Sequence, residues 1–113
     1  TEKNKVLTLN MCVNYGGRAE ISAAAAKLAS DVKRGKVSLK SITEKSFAKY
    51  FEVSDVDLFL RSSGEMRTSN FLPWQSVYSE LVFMDVLWPD VDRRVLWQAI
   101  EEYVRRDRRY GKA

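Results

Sequence analysis

Val56-Asp57-Leu58-Phe59-Leu60 runs directly into Arg61-Ser62-Ser63-Gly64-Glu65-Met66-Arg67-Thr68-Ser69-Asn70. The apolar run is too short for a stable helix and is followed by turn residues, so it predicts a short buried strand over residues 56–60. That strand delivers Arg61 into a polar, glycine-containing loop. A second arginine, Arg67, follows in the same loop, with the Ser69 hydroxyl just beyond it. In open α/β sheets, ligands bind beyond the carboxyl ends of the strands. Two guanidiniums, serine hydroxyls and loop amides gathered at such an end suit a phosphate or diphosphate, whose oxygens pair with arginine forks. A solvated arginine- and serine-rich turn is the alternative reading of the loop taken alone.

The flanking sequence extends the pattern. Residues 6–13, Val6-Leu7-Thr8-Leu9-Asn10-Met11-Cys12-Val13, read as another buried strand, with Cys12 in the core. Asn14-Tyr15-Gly16-Gly17-Arg18 follows, and its glycines permit a tight turn and close backbone approach. Residues 19–33 are alanine-rich and predict a helix, closed by Gly35 after Lys33-Arg34. Ser41-Ile42-Thr43-Glu44 resembles a capping box, opening a helix to about residue 51. Residues 71–78 predict a short helix or turn, and residues 80–86 a third strand. Trp88-Pro89-Asp90 breaks the chain, and Asp92 caps a helix to about residue 108, with Leu96, Ile100, Tyr103 and Val104 on one face. Phe71, Trp74, Trp88 and Trp97 read as packing residues.

Alternating strands and helices predict an α/β fold, a mainly parallel sheet flanked by helices. The strands read as continuous apolar runs, as strands covered on both faces do. Three strands are few for that architecture, so part of a larger single-domain fold is expected. With no repeat or linker, the 113 residues form one unit. The chain opens on Thr1 rather than methionine, which leads us to expect sequence upstream.

Composition narrows the chemistry. Histidine is absent, which excludes Ser-His-Asp triads, Cys-His pairs and histidine-held zinc within this chain. A metal here would be held by oxygens, favouring a hard cation such as magnesium. Cys12 is the sole cysteine, so no internal disulfide can form and a reducing cytoplasm is the expected compartment. No apolar run approaches the roughly 20 residues of a membrane span. The net charge of +4 suits anionic partners, and Arg105, Arg106, Arg108 and Arg109 crowd the carboxyl end.

Several stretches together resemble one family. Leu7-Thr8-Leu9-Asn10, Asn14-Tyr15-Gly16-Gly17-Arg18, Asp57-Leu58-Phe59-Leu60, the Arg61–Asn70 loop, Phe71-Leu72-Pro73-Trp74-Gln75, Tyr78-Ser79-Glu80 and Leu87-Trp88-Pro89-Asp90 occur in that order. The chain resembles the carboxyl-terminal half of cis-prenyltransferases, the undecaprenyl diphosphate synthase family, from about Leu7 to Gly111. The resemblance implies an enzyme that condenses isopentenyl diphosphate with an allylic prenyl diphosphate, releases diphosphate and forms a Z double bond, with Mg2+ as cofactor. It implies that Arg61, Arg67 and Ser69 clamp the isopentenyl diphosphate head group. Asn14 would stand at the active-site rim as a catalytic residue, with Arg18 in a structural role. Glu80 would be a magnesium ligand, and Leu7 and Leu9 would border the prenyl tunnel or belong to ordinary core. Arg109 and Gly111, in Arg109-Tyr110-Gly111, match a tail that reaches a diphosphate in a neighbouring subunit. A homodimer is implied, with contact near residues 74–85, together with a cytoplasmic location and peripheral membrane contact through the lipid product.

The chain also departs from the family pattern. The Asp-Gly-Asn-x-Arg-Trp motif of the amino-terminal half, which carries the allylic site and the central magnesium aspartate, occurs nowhere in it. Met66 stands where some relatives have histidine. The chain is therefore expected to be the carboxyl-terminal portion of such a domain and inactive alone. A non-catalytic partner subunit is an alternative, against which the intact Arg61, Arg67 and Glu80 argue. A nucleic-acid-binding module would suit the charge, but no recognised motif supports it.

Overall fold

Leu58-Phe59-Leu60-Arg61 and Glu80-Leu81-Val82-Phe83 form the two strands, β1 (Leu58–Arg61) and β2 (Glu80–Phe83), in a computed structural model that describes residues 3–107. They pair in parallel, with Leu58 opposite Glu80 and Arg61 opposite Phe83. Phe59 and Val82 are their buried residues. Helix α1 (Gly17–Lys33) follows the Gly16-Gly17 turn, α2 (Glu44–Ala48) is a short helix, and α3 (Arg93–Arg105) lies across both strands. The chain is thus an α/β unit with a parallel sheet and flanking helices, as the strand and helix alternation predicts.

The helix boundaries follow local chemistry. Asp92 Oδ1 accepts from the Arg94 and Val95 amides at 2.8 and 3.1 Å, which starts α3 where its sequence does. The second helix is capped differently from the expectation. Leu39–Ser41 form a 3-10 turn in which the Ser41 hydroxyl donates to the Ser38 carbonyl at 2.7 Å, so Ser41 is spent before the helix begins. Thr43 caps α2 instead, in a reciprocal box with Ser46. Residues 73–78 are turns rather than a helix.

The amino-terminal strand is a correction. Residues 7–12 carry no regular structure, and the side chains of the apolar series stand open: Val6 is fully exposed, Leu7 is 82% and Leu9 78% exposed. Cys12 is exposed rather than in the core. A strand is held by its ladder and a buried face, and the described residues offer this segment neither. The predicted apolar face of α3 is likewise open. Ala99 is its buried residue, while Leu96, Trp97, Ile100 and Val104 are exposed. Trp88 is exposed too, whereas Trp74 packs edge-on to Phe47 and stacks on Phe51, each with ring centroids 5.2 Å apart. The radius of gyration, 17.2 Å, exceeds the ~13 Å of a compact domain this long, as expected when apolar faces stay open. Among the described residues no helix is long and apolar enough to cross a membrane.

Candidate functional site

Arg61 is the last residue of β1, and the loop after it is fastened to the end of β2. The Met84 amide donates to the Arg61 carbonyl at 2.9 Å, the Ser63 amide to Val86 at 2.7 Å and the Gly64 amide to Met84 at 3.0 Å. Gly64 takes φ +68°, and a Cβ there would stand 3.1 Å from Asp85 Oδ1. The half-buried Arg61 guanidinium turns back on its own loop. Its Nη1 donates to the Ser69 hydroxyl at 2.9 Å and to the Arg67 carbonyl. Arg61, Ser69 and the Arg67 backbone therefore meet at the carboxyl end of β1. Arg67 reaches outward and pairs with Glu65 at 2.5 Å, its side chain 64% exposed. An ion pair this exposed contributes only about 0–1 kcal/mol, so a polyanion can take Glu65's place.

The amino end of α1 abuts this loop. The Gly17 amide donates to the Asn70 carbonyl at 2.9 Å. The Arg18 amide donates to Asn70 Oδ1, also at 2.9 Å. Asn14, exposed and at φ 54°, lies in the turn just before. The non-glycine residues with positive φ among the described residues are Asn14, Ser63, Ser69, Asn70 and Leu72, all within the two segments that meet here. Left-handed backbone at such residues is costly and persists where the surroundings enforce it.

A polar network beneath the loop was not legible in the sequence. The Tyr15 hydroxyl donates to Glu20 Oε2 at 2.5 Å, and Gln75 Nε2 donates to the same oxygen at 3.0 Å. Gln75 is 2% exposed, and its Oε1 has no partner. Burial, and then the hydrogen bond and charge of Glu20, push the Tyr15 phenol up to about 12. A raised phenol holds its proton more firmly in the folded state. Its stabilising contribution is present below the ordinary tyrosine value and is lost as pH rises through about 12. Glu20→Gln is expected to bring this titration back toward 10, read as phenolate absorbance against a Tyr15→Phe control; an unmoved titration would show that Glu20 is not its partner.

Other predicted residues lie apart. Glu80 begins β2, three residues before the level of Arg61, about 10 Å away along the strand. Its Oε2 accepts from Arg106 Nη1 at 3.2 Å, and Arg106 also bonds the Leu81 carbonyl and Glu102. Among the described residues no three acidic or cysteine side chains converge on a metal position. Glu80 fits magnesium only as one oxygen ligand among others supplied from outside these residues. Leu9, not Leu7, lines a groove of about 730 Å³ between the amino-terminal segment and α1, with Asn14, Tyr15, Ala23 and Tyr50 also on its walls. Arg109 and Gly111 lie outside the described residues. Asn70 belongs to the predicted loop, but its cap on α1 has no local sequence signal, because the partners are 52 residues apart.

Residues 1–111 match the family model described as "Putative undecaprenyl diphosphate synthase". The chain is 61% identical to the trans,polycis-polyprenyl diphosphate synthase ((2Z,6E)-farnesyl diphosphate specific) of Thermobifida fusca, aligning over 100% of its own length and 41% of the relative's. It is 52% identical to the decaprenyl diphosphate synthase of Mycobacterium tuberculosis, over 100% of this chain and 39% of that one. The chain thus spans about two-fifths of the length of the curated relatives it matches. Lavandulyl diphosphate synthase from Lavandula x intermedia, solved with dimethylallyl diphosphate, superposes with a TM-score of 0.84 at 35% identity, covering 88% of this chain and 44% of that one. A probable undecaprenyl diphosphate synthase from Campylobacter jejuni superposes with a TM-score of 0.74 at 33% identity, covering 88% and 45%.

Proposed function

From the premise that this chain belongs to the undecaprenyl diphosphate synthase family, we propose that the whole protein, of which it forms all or part, condenses isopentenyl diphosphate with an allylic prenyl diphosphate. The reaction joins C4 of isopentenyl diphosphate to C1 of the allylic partner. The allylic C–O bond breaks, diphosphate leaves, and a proton departs from C2 of the isopentenyl unit as the Z double bond forms. A diphosphate oxygen is the candidate proton acceptor.

The observation that carries the reading is the Arg61 guanidinium, fixed by Ser69 and the Arg67 backbone at the carboxyl end of β1. Arginines held in place before substrate arrives orient a diphosphate as well as neutralise it. Arg61, Arg67 and Ser69 would take the isopentenyl diphosphate head group, with Asn14 at the rim. The groove lined by Leu9, Met11, Val13 and Ala23 offers apolar side chains to a prenyl chain, and Leu7, exposed on the same segment, is the further residue proposed to border it. The allylic diphosphate would be held by residues outside this chain, and the Arg109-Tyr110-Gly111 tail would reach a diphosphate in a second copy. The exposed Val77 and Tyr78 give that copy a surface to meet. The proposed setting is cytoplasmic, with membrane contact through the lipid product.

The test is incorporation of labelled isopentenyl diphosphate into polyprenyl diphosphate by the purified whole protein, with an allylic diphosphate and magnesium. Magnesium-dependent incorporation is expected, and none over a range of allylic primers would overturn the reading. Magnesium, when bound, neutralises the departing diphosphate. Glu80→Ala is expected to raise the magnesium concentration needed for half-maximal rate roughly tenfold, the scale of losing one supporting group at a metal. Arg106→Ala breaks the same ion pair. If both variants shift the magnesium requirement equally, the pair matters and Glu80 is not a ligand.

A further inference from the structure

Helix α1 begins at Gly17, and its N-cap residue, Gly16, has no side chain to cap with. The first amides of a helix lack intrahelical acceptors and must find them elsewhere. Asn70 supplies two of them, its carbonyl to Gly17 and its Oδ1 to Arg18, both at 2.9 Å. The same residue is the next one after Ser69, whose hydroxyl holds Arg61. Ser69 and Asn70 are both left-handed, at φ 47° and 65°. Asparagine tolerates that conformation better than most residues, serine less so. The backbone that aims Ser69 at Arg61 is thus an expensive one; the Phe71 amide closes its turn onto the Thr68 carbonyl at 2.9 Å, and the two bonds from Asn70 tie that turn to α1.

We propose that Asn70 is a positioning residue, capping α1 from the arginine loop so that the helix sets where Arg61, Arg67 and Ser69 present their donors. Asn70 does not touch the reacting atoms and acts through its neighbours. The proposal rests on the isopentenyl diphosphate reading of the site and names a residue that reading does not include. Loss of the Oδ1 acceptor frees the Arg18 amide and relaxes the turn carrying Ser69. The head-group site then loosens while the allylic site stays intact.

The experiment compares Asn70→Ala and Asn70→Asp in the whole protein. Aspartate keeps the acceptor oxygen and places a negative charge where a helix amino end favours one. Asn70→Ala is expected to raise KM for isopentenyl diphosphate about tenfold, the size of a lost cap, with KM for the allylic substrate held within about twofold. Hydrogen exchange at the Arg18 amide should quicken in the same variant. Asn70→Asp should keep that amide protected and bring KM back toward the wild-type value. A role in stability alone would lower the thermal midpoint in Asn70→Ala and leave both KM values unchanged, which overturns the proposal. Unchanged Arg18 exchange in Asn70→Ala overturns it equally. Failure of the underlying reading looks different: wild-type protein would bind no isopentenyl diphosphate in calorimetry, whatever the exchange data showed.

Discussion

Arg61→Ala in the whole protein is expected to raise KM for isopentenyl diphosphate by roughly ten- to a hundredfold and to leave KM for the allylic substrate near wild type. The magnitude is that of one charge-assisted contact, about 1.5–3 kcal/mol. Arg61 is the variant with the largest expected effect on this substrate because it has two tasks. It would bring charge to the diphosphate, and its Nη1 also ties the Ser69 hydroxyl and the Arg67 carbonyl together. Removing it takes away one cation and loosens the segment that carries the second. Arg67 has no such internal task, since its partner is the exposed Glu65, so Arg67→Ala should cost less. Arg61→Lys should recover only part of the loss, because an ammonium restores charge without the planar fork. Steady-state kinetics decide the matter. Unchanged constants for isopentenyl diphosphate in Arg61→Ala would remove the head-group assignment.

Gly17→Ala is expected to have the largest effect on stability. A Cβ on Gly17 would lie 2.0 Å from Pro73 Cδ and 2.4 Å from Pro73 Cγ, with the Asn70 carbonyl oxygen at 3.0 Å. A proline ring cannot swing aside as a flexible side chain can, so α1 or the loop must move. Such overpacking costs about 1–3 kcal/mol or more. Alanine in a helix gains at most about 1 kcal/mol over glycine, so the clash decides the sign. The thermal midpoint should fall by several degrees or more. Affinity for isopentenyl diphosphate should fall with it, since the shift strains the Gly17–Asn70 bond. Gly16→Ala is the control: its Cβ would meet only the Asn70 side-chain nitrogen, at 3.3 Å, and a smaller drop is expected. A midpoint raised by Gly17→Ala would mean that helix and loop stand further apart than these distances require.

Sequence alone determined the parts whose causes lie within a few residues. The alanine-rich run made α1, Asp92 started α3 by accepting its own following amides, and the apolar pair of runs made β1 and β2. The arginine loop was legible for the same reason, since a strand that ends in Arg61 must deliver it to the sheet's carboxyl edge. Tertiary structure decided the rest. Residues 6–13 have a strand's composition, yet a strand needs a neighbour to complete its hydrogen bonds, and among the described residues none pairs with it. The surroundings of Glu80 were likewise decided in three dimensions: the register of β2 against β1 sets it level with Leu58, beside Arg106. The α1 cap was beyond local reading, because the acceptor comes from Asn70 in another part of the chain. Propensity and capping act between near neighbours, whereas strand pairing, ion pairs and remote caps depend on which distant segments the fold brings within about 3 Å.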